Sequence, residues 1–225
     1  MPHRVPTEPV LSPRERKLIR TLRTPASTQA WLNALRYNTE KDGPSQRSFR
    51  GVVRTRSAHC LEAALFAAVV LEQHGYPPLV MSLESQDNLD HVVFVYRHRG
   101  GWGSVARSRD PGLHGRRPVF ATLRGLAYSY LDPYVDYSGR LLGYGVADLS
   151  IAMGNYDWRW AGGNVWKVEQ VLIDWPHVKL PSSTARYRHL KRWYREYRAQ
   201  NDDRKPIDYR GREKWSPLPD EFQRR

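Results

Sequence analysis

Residues 57–78 read SAHCLEAALFAAVVLEQHGYPP, and they hold the most apolar helix that this chain can form. Between Leu61 and Leu71 almost every side chain is apolar, so a helix here has hardly any polar face and must be buried between other layers. His74-Gly75 and the two prolines that follow end such a helix. The stretch therefore predicts a central helix over residues 58–73.

The only cysteine of the chain, Cys60, lies in the first turn of this predicted helix. With Ser57 as the N-cap, Cys60 takes the third helical position. Unpaired backbone N–H groups and the positive end of the helix dipole meet there, and both favour the thiolate over the thiol. A lone cysteine beside an apolar helix is more often a small core residue. The position at the mouth of the helix favours a reactive thiol instead.

His91 opens the next apolar run, HVVFVYR, which has the pattern of a strand. A neutral imidazole at the head of a neighbouring strand can accept the proton of the thiol and pair with the thiolate. His59 is the rival base, but consecutive helical residues point about 100° apart. We therefore predict that His59 is a flanking or solvent-facing residue and that His91 is the partner of Cys60.

The rest of the chain reads as an alternation of helices and strands. Ser12-Pro13 and Thr24-Pro25 are helix-start signals, and Arg99-Gly100-Gly101 predicts a hairpin turn. The predicted helices cover residues 12–22, 24–37, 120–131 and a basic amphipathic helix from residue 183 onward. The predicted strands cover residues 79–84, 91–97, 102–107, 141–151 and 165–173, and residues 49–55 form either a short strand or an extended approach to the cysteine helix. A polar loop is predicted at 38–48 and an aromatic, glycine-rich loop at 153–164.

Composition limits the classes of protein that fit. The chain has 225 residues, of which 40% are hydrophobic and 12% aromatic, which suffices for a packed domain. A single cysteine excludes an internal disulfide framework and fits a reducing compartment. We find no apolar segment typical of a secretory signal and no run of bilayer-spanning length, so we expect a cytoplasmic protein without a membrane span.

The charge is strongly positive, with a net charge of +13. Such a charge attracts phosphates, acidic proteins or anionic surfaces. Tyr187, Trp193 and Tyr197 recur at helical spacing among arginines. This stripe either packs on the domain or stacks on nucleic acid. The tryptophans Trp158 and Trp160 allow the same two roles, and packing is the more common one.

Metal and nucleotide motifs are missing from the sequence: there is no paired CxxC, no HExxH and no phosphate-binding loop. We therefore predict neither a cofactor nor a metal. The acidic pair Asp132 and Asp136 lies in a turn, where structural use is commoner than acid–base chemistry.

Residues 57–110 together resemble the transglutaminase-like superfamily, papain-like cysteine enzymes that include bacterial peptidases, amidases and acyl transferases. The resemblance rests on the cysteine that opens a buried helix, the helix-ending HGYPP, the histidine-led strand and the tryptophan-led strand after a glycine turn. It implies a central helix packed on an antiparallel sheet, with Cys60 as nucleophile and His91 as base.

At the third position of the family pattern, that of the residue that orients the histidine, this chain differs from the family. The aspartate expected after the aromatic residue of the strand falls on Ala106. Asp110 and Ser108 share the strand parity of Trp102, so the residue that orients His91 is Asp110, Ser108 or neither.

These observations predict an α+β domain of transglutaminase-like fold over residues 49–182, with an N-terminal helical extension (1–48) and a basic C-terminal helix and tail (183–225). The expected reaction is acyl transfer from an amide or ester, including proteins and peptides, through a thioester on Cys60. The backbone N–H of Cys60 would stabilise the oxyanion. The alternative is a catalytically degenerate module that binds nucleic acid or an acidic protein.

Overall fold

The computed structural model describes residues 10–86, 90–108, 111–131, 134, 140–200 and 202. The helices are α1 (Pro13–Thr21), α2 (Pro25–Asn33), α3 (Phe49–Thr55), α4 (Cys60–Glu72), α5 (Leu123–Tyr128), α6 (Leu149–Ala152), α7 (Trp166–Ile173) and α8 (Thr184–Gln200). The strands are β1 (Arg36–Tyr37), β2 (Ser57–Ala58), β3 (Leu79–Ser85), β4 (His91–His98), β5 (Gly101–Val105), β6 (Arg116–Phe120), β7 (Leu141–Asp148) and β8 (Val178–Lys179).

The main sheet has six strands in the order β6-β5-β4-β3-β7-β8, and each neighbouring pair is antiparallel. The hairpin between β4 and β5 turns at Arg99 and Gly100, both of which have positive φ, as a tight two-residue turn requires. A short parallel pair, β1 with β2, lies outside this sheet. The chain thus has an α+β architecture, as the sequence predicts.

Helix α4 lies at the centre of the molecule. Every residue from Leu61 to Leu71 is buried, because α4 packs on β3 and β4 on one side and on α1, α2 and α3 on the other. Phe66 stacks on Trp31 of α2 and on Phe49 of α3. The nearly continuous apolar composition of this helix therefore follows from its burial on all sides.

The sheet is also covered on its second face. On β4, Val92 and Phe94 belong to the core under α4, whereas Val93 and Val95 belong to a second core with Leu126 of α5. This is the alternation that successive side chains of a strand must show. The strand that begins with His91 is therefore buried on both faces, which fixes its position firmly.

Two segments predicted to be strands or extended are helices in the structure. Residues 49–55 form α3, whose Phe49, Val52 and Val53 are buried at helical spacing. The predicted strand 165–173 is α7, which buries Val168 and Leu172 against the core and exposes Trp166. Short apolar runs fit both kinds of structure, and burial of one helical face decides here.

Other predicted boundaries also shift. The predicted helix 24–37 ends at Asn33, because Arg36 and Tyr37 pair with β2. Residues 116–120 form an edge strand before α5, so the predicted helix 120–131 starts later and is shorter. The predicted strand 141–151 gives way to α6 at Leu149.

The loop 153–164 serves packing. Trp158 is fully buried in the core under α4, so its ring is not available to stack on a ligand. The ring of Trp160 packs edge-on against Phe49. Asp132 and Asp136 lie outside the described residues.

The predicted basic helix is present as α8. Its Tyr197 is buried, and Arg186 donates a hydrogen bond to the carbonyl oxygen of Leu131. Within the described ranges, none of the helices has the length and apolar content needed to cross a bilayer.

Candidate active site

Cys60 is the first residue of α4, and it faces the start of β4. The N-cap is His59 and not Ser57 as predicted, because Ser57 and Ala58 pair with β1 and delay the helix. The sulfur of Cys60 lies 3.9 Å from the carbonyl oxygen of Asp90, the residue before His91. Cys60 as a whole residue is partly exposed, and it lines the cavity described below.

Two imidazoles act on the ionisation of Cys60, those of His59 and His91. Burial opposes ionisation of the thiol, but the hydrogen bonds from the two histidines and their positive charge lower the pKa of Cys60 to about 5. The sulfur is therefore a thiolate at neutral pH. A thiolate is the form of cysteine that reacts as a nucleophile.

His59 is buried, with 8% of its surface exposed, so the prediction that it faces away into solvent is wrong. Its Nε2 lies 2.8 Å from the carbonyl oxygen of Ser45 and 3.6 Å from the carboxylate of Glu62. Burial by itself favours the neutral ring, but the hydrogen bond and charge of Cys60, together with Glu62 and Ser45, raise the pKa of His59 to about 9. As an N-cap, His59 is not restricted to the side-chain direction of a helical residue.

A fully buried carboxylate, Glu62, holds this end of α4 in place. It accepts hydrogen bonds from the backbone N–H groups of His59 and Arg47, both at 3.0 Å. It also accepts from the side chains of Ser45 at 2.8 Å and Asn38 at 3.0 Å. Glu62 thus ties the loop before α3 to the residue beside the thiol, and it supplies the negative charge behind His59.

His91 is held from its far side by a backbone group. Its Nε2 lies 2.7 Å from the carbonyl oxygen of Leu113, and its ring meets that of Tyr130 at an angle of 60°. Because a carbonyl only accepts hydrogen bonds, Nε2 carries a proton. Nδ1 is then the nitrogen available to take a proton from Cys60. A Cys–His pair requires this arrangement, with one ring nitrogen held by an acceptor and the other facing the thiol as the base.

The sequence predicts that Asp110 orients His91, with Ser108 or no residue at all as the alternatives. Asp110 lies outside the described residues. Ser108 is buried and lines the cavity described below. The orienting contact at Nε2 is the Leu113 carbonyl, which the sequence does not reveal, since any residue type carries that group.

Arg116 fixes the loop that carries this carbonyl. Its guanidinium group is buried and donates to the carbonyl oxygens of Gly112 at 2.6 Å and His114 at 2.7 Å, on either side of Leu113. It also lies over the ring of Tyr130, 4.1 Å from its centre. Planar, multiply donating arginine is well suited to hold several carbonyls at once.

His114 stays neutral beside this loop. Burial lowers the pKa of His114 to about 4, and the nearby charges of Arg107, His91 and Arg116 act in the same direction. A neutral His114 adds no further positive charge beside the thiol.

A cavity of about 540 Å³ is lined by His59, Cys60 and His91. Residues of the segment 37–46 and of α7 also line it. Ser82 of β3 is another lining residue, and its hydroxyl lies 2.7 Å from Nε2 of His177. A volume of this size fits a small substrate or a few residues of a peptide.

The described part of the chain holds no group of three His, Cys, Asp or Glu side chains arranged to bind a metal ion. The chain matches no family model, and no curated protein sequence matches it.

Proposed function

We propose that this protein is a cysteine enzyme of transglutaminase-like fold that transfers acyl groups from amides or esters. One observation carries the proposal: Cys60 opens a buried helix, two imidazoles act on its thiol, and it lines a cavity. The order of a cysteine-led helix and a histidine-led antiparallel strand, with a carbonyl acceptor behind the histidine, supports the fold assignment.

The reaction begins with the Cys60 thiolate, whose proton has passed to Nδ1 of His91. The sulfur attacks the carbonyl carbon, and the carbonyl electron pair moves to oxygen. When the tetrahedral intermediate collapses, the bond to the leaving amine or alcohol breaks, and the leaving group takes the proton from His91. The products are a thioester on Cys60 and a neutral leaving group.

Water or an amine completes the cycle. Neutral His91 removes a proton from this second nucleophile as it attacks the thioester carbonyl. The thiolate then leaves, and the acid or the new amide is released. At both oxyanion stages the backbone N–H groups at the start of α4 are available as donors, because the first turn of a helix leaves them without intrahelical acceptors.

His59 has a different role from His91. It is fixed by Ser45 and Glu62, and its raised pKa of about 9 keeps it protonated at neutral pH. We assign it the stabilisation of the thiolate by a constant positive charge, whereas His91 carries the proton transfers.

The test is acylation of the chain by 4-nitrophenyl acetate, followed by intact mass and peptide mapping. We expect release of nitrophenol and a transient acetyl group on Cys60. Cys60→Ala and His91→Gln abolish this reaction, while His98→Gln, at the exposed end of the same strand, leaves it unchanged. Acetylation that does not depend on His91, or that falls on other residues, would overturn the proposal.

The alternative function is a binding module without catalysis. The net charge of +13 and the exposed Arg188, Arg192 and Arg195 of α8 favour an anionic partner such as nucleic acid or an acidic protein. An unreactive Cys60 together with salt-sensitive binding of such a partner would support this alternative.

A further inference from the structure

The cavity that Cys60 lines contrasts in charge with the rest of the chain. The sequence contains 36 lysines and arginines, yet none of the described residues that line the cavity is one of them. The lining does include three carboxylates, those of Glu40, Asp90 and Glu169. In the thiolate form with both His59 and His91 protonated, two positive charges face the thiolate and three carboxylates, so the net charge of the described lining is negative.

The three carboxylates are not equivalent. Glu40 accepts a hydrogen bond from the backbone of Ser45 at 2.8 Å, and Asp90 accepts one from the backbone of Ser85 at 2.9 Å. These two hold loops in place. Among the contacts of the described residues, Glu169 has neither a hydrogen bond nor an ion pair, and it is only partly exposed. It is therefore the carboxylate most available to a ligand.

Glu169 lies on α7 with residues suited to an organic cation on an apolar stem. Trp166 is three positions before it and Ile173 four positions after it, so the three share one side of the helix. Both line the cavity, and Trp166 is 45% exposed and Ile173 60% exposed. An indole ring attracts a cation over its face, and an isoleucine covers an aliphatic chain.

The cavity wall also carries neutral polar groups. Gln46 is 5% exposed and lines the cavity, and among the described residues its buried side-chain oxygen has no hydrogen-bond partner. The Ser82 hydroxyl lies 2.7 Å from Nε2 of His177, whose Nδ1 lies 2.6 Å from the carbonyl oxygen of Trp175. Ser82 therefore adds a neutral polar group to the lining, one already engaged by a histidine.

From this inventory we infer that the site selects substrates that carry a positively charged alkylammonium or guanidinium group, which binds along α7 between Glu169 and Trp166. This inference rests on the proposed function, because the bound cation is a substrate only if Cys60 carries out acyl transfer. The negative lining discriminates against substrates that carry a carboxylate, because two like charges repel each other strongly at short range.

The first experiment uses the single cysteine as a probe and does not require catalysis. Two methanethiosulfonates of matched shape, 2-(trimethylammonio)ethyl and 3,3-dimethylbutyl, each form a disulfide with Cys60 and release methanesulfinate. The rate of Cys60 modification is measured with each reagent, in the folded chain and in the same chain unfolded in urea. The quantity compared is the ratio of the rate with the cationic reagent to the rate with the neutral one. We expect the folded ratio to exceed the unfolded ratio by about tenfold, the size of an effect of one or two nearby charges.

Two variants assign that preference. Glu169→Gln should lower the folded ratio by about threefold to tenfold, and Trp166→Leu should lower it by about threefold. Glu196→Gln, which removes an exposed carboxylate from α8, should leave it unchanged. Equal ratios in the folded and unfolded chain, or a ratio that neither α7 variant changes, would overturn the inference.

A second experiment separates this inference from the proposed function. The substrates are the 4-nitrophenyl esters of 4-(trimethylammonio)butanoate and 5,5-dimethylhexanoate, which differ only in a charged nitrogen or a carbon. Cys60-dependent hydrolysis that prefers the cationic ester supports both ideas. Equal hydrolysis of the two esters overturns the cation inference alone. Charge-selective modification without any hydrolysis overturns acyl transfer and retains a cation-binding site.

Discussion

At the scale of single residues, the proposed chemistry depends on one sulfur and two imidazoles. Cys60 lies at the first position of a helix, His59 caps that helix and His91 opens the neighbouring strand. Each histidine has a carbonyl acceptor at Nε2, from Ser45 and Leu113 respectively. The two rings are thus held in fixed orientations against the thiol, and their difference lies in the carboxylate that stands behind His59 alone.

The pH dependence of thiol reactivity follows from these contacts. The pKa of Cys60 is lowered to about 5, so the thiolate forms as the pH rises through 5 and is present at neutral pH. Iodoacetamide alkylation should therefore show its inflection near pH 5, with a second change near pH 9 as His59, whose pKa is about 9, loses its proton. A single inflection at the value of an ordinary thiol, about 8.5, would contradict this prediction.

Replacing His59 tests its role as a fixed positive charge. In His59→Gln the charge and one hydrogen bond to the sulfur are lost, so the alkylation inflection should move up by about 1 to 3 pH units. His98→Gln serves as the control, because His98 is exposed at the far end of β4 and should leave the inflection in place. An unchanged inflection in the His59 variant would show that His91 alone activates the thiol.

At the scale of elements, two supports position the site. The N-terminus of α4 is tied to the loop before α3 by Glu62, and the head of β4 is fixed by the loop that Arg116 clamps. Both supports are buried polar networks in which every named donor has an acceptor. Such networks are rigid when complete and costly when one member is removed.

Glu62→Gln should destabilise the fold strongly. The amide nitrogen cannot accept hydrogen bonds, so some of the four donors around the carboxylate lose their acceptor, at a cost of about 3 kcal/mol in the free energy of unfolding. Glu72→Gln, at the other end of α4, removes half of a partly exposed ion pair with Arg159 and should cost about 1 kcal/mol or less. Urea unfolding measures both, and equal losses would argue against a special role of Glu62.

Arg116→Lys should loosen the carbonyl that orients His91. A lysine cannot hold Gly112 and His114 together, so the Leu113 carbonyl loses its fixed position. We expect the Nε2 proton of His91 to exchange faster with water in proton NMR and acylation of Cys60 to slow by about tenfold. An Nε2 proton that exchanges as in the unmodified chain would contradict the support role of this loop.

At the scale of the whole molecule, one sheet carries two cores. Helix α4 and the N-terminal helices cover one face, α5 and Tyr130 cover the other, and the Cys60 thiol lies where α4 meets β4. The basic helix α8 lies at the end of the described chain, with Tyr197 buried and most of its arginines exposed.

Deletion of residues 184–225 distinguishes a packing role of α8 from a binding role. Because Tyr197 is buried, we expect the truncated chain to unfold at lower urea concentration, with a loss of about 2 kcal/mol. An unchanged unfolding midpoint, combined with loss of salt-sensitive retention on a single-stranded oligonucleotide, would instead show that α8 is a nucleic-acid-binding element.

The sequence by itself determined the parts that long, unambiguous patterns encode. The apolar run of α4, the strands that follow it and the Arg99-Gly100 turn could all be predicted, and with them the position of Cys60 at a helix start and of His91 at a strand start. These features depend on neighbours along the chain, so periodicity and turn chemistry suffice to find them.

Only the tertiary structure decided the rest. The short apolar segments 49–55 and 165–173 fit a strand or a helix equally well, and packing against α4 and the core made them helices. The pairing of Ser57 with Arg36 moved the helix start to Cys60 and turned His59 inward. The Leu113 carbonyl came to His91 from a loop 22 residues away. Such contacts join segments that are distant in sequence. Where they use backbone groups, the sequence does not reveal them, because every residue type carries the same carbonyl group.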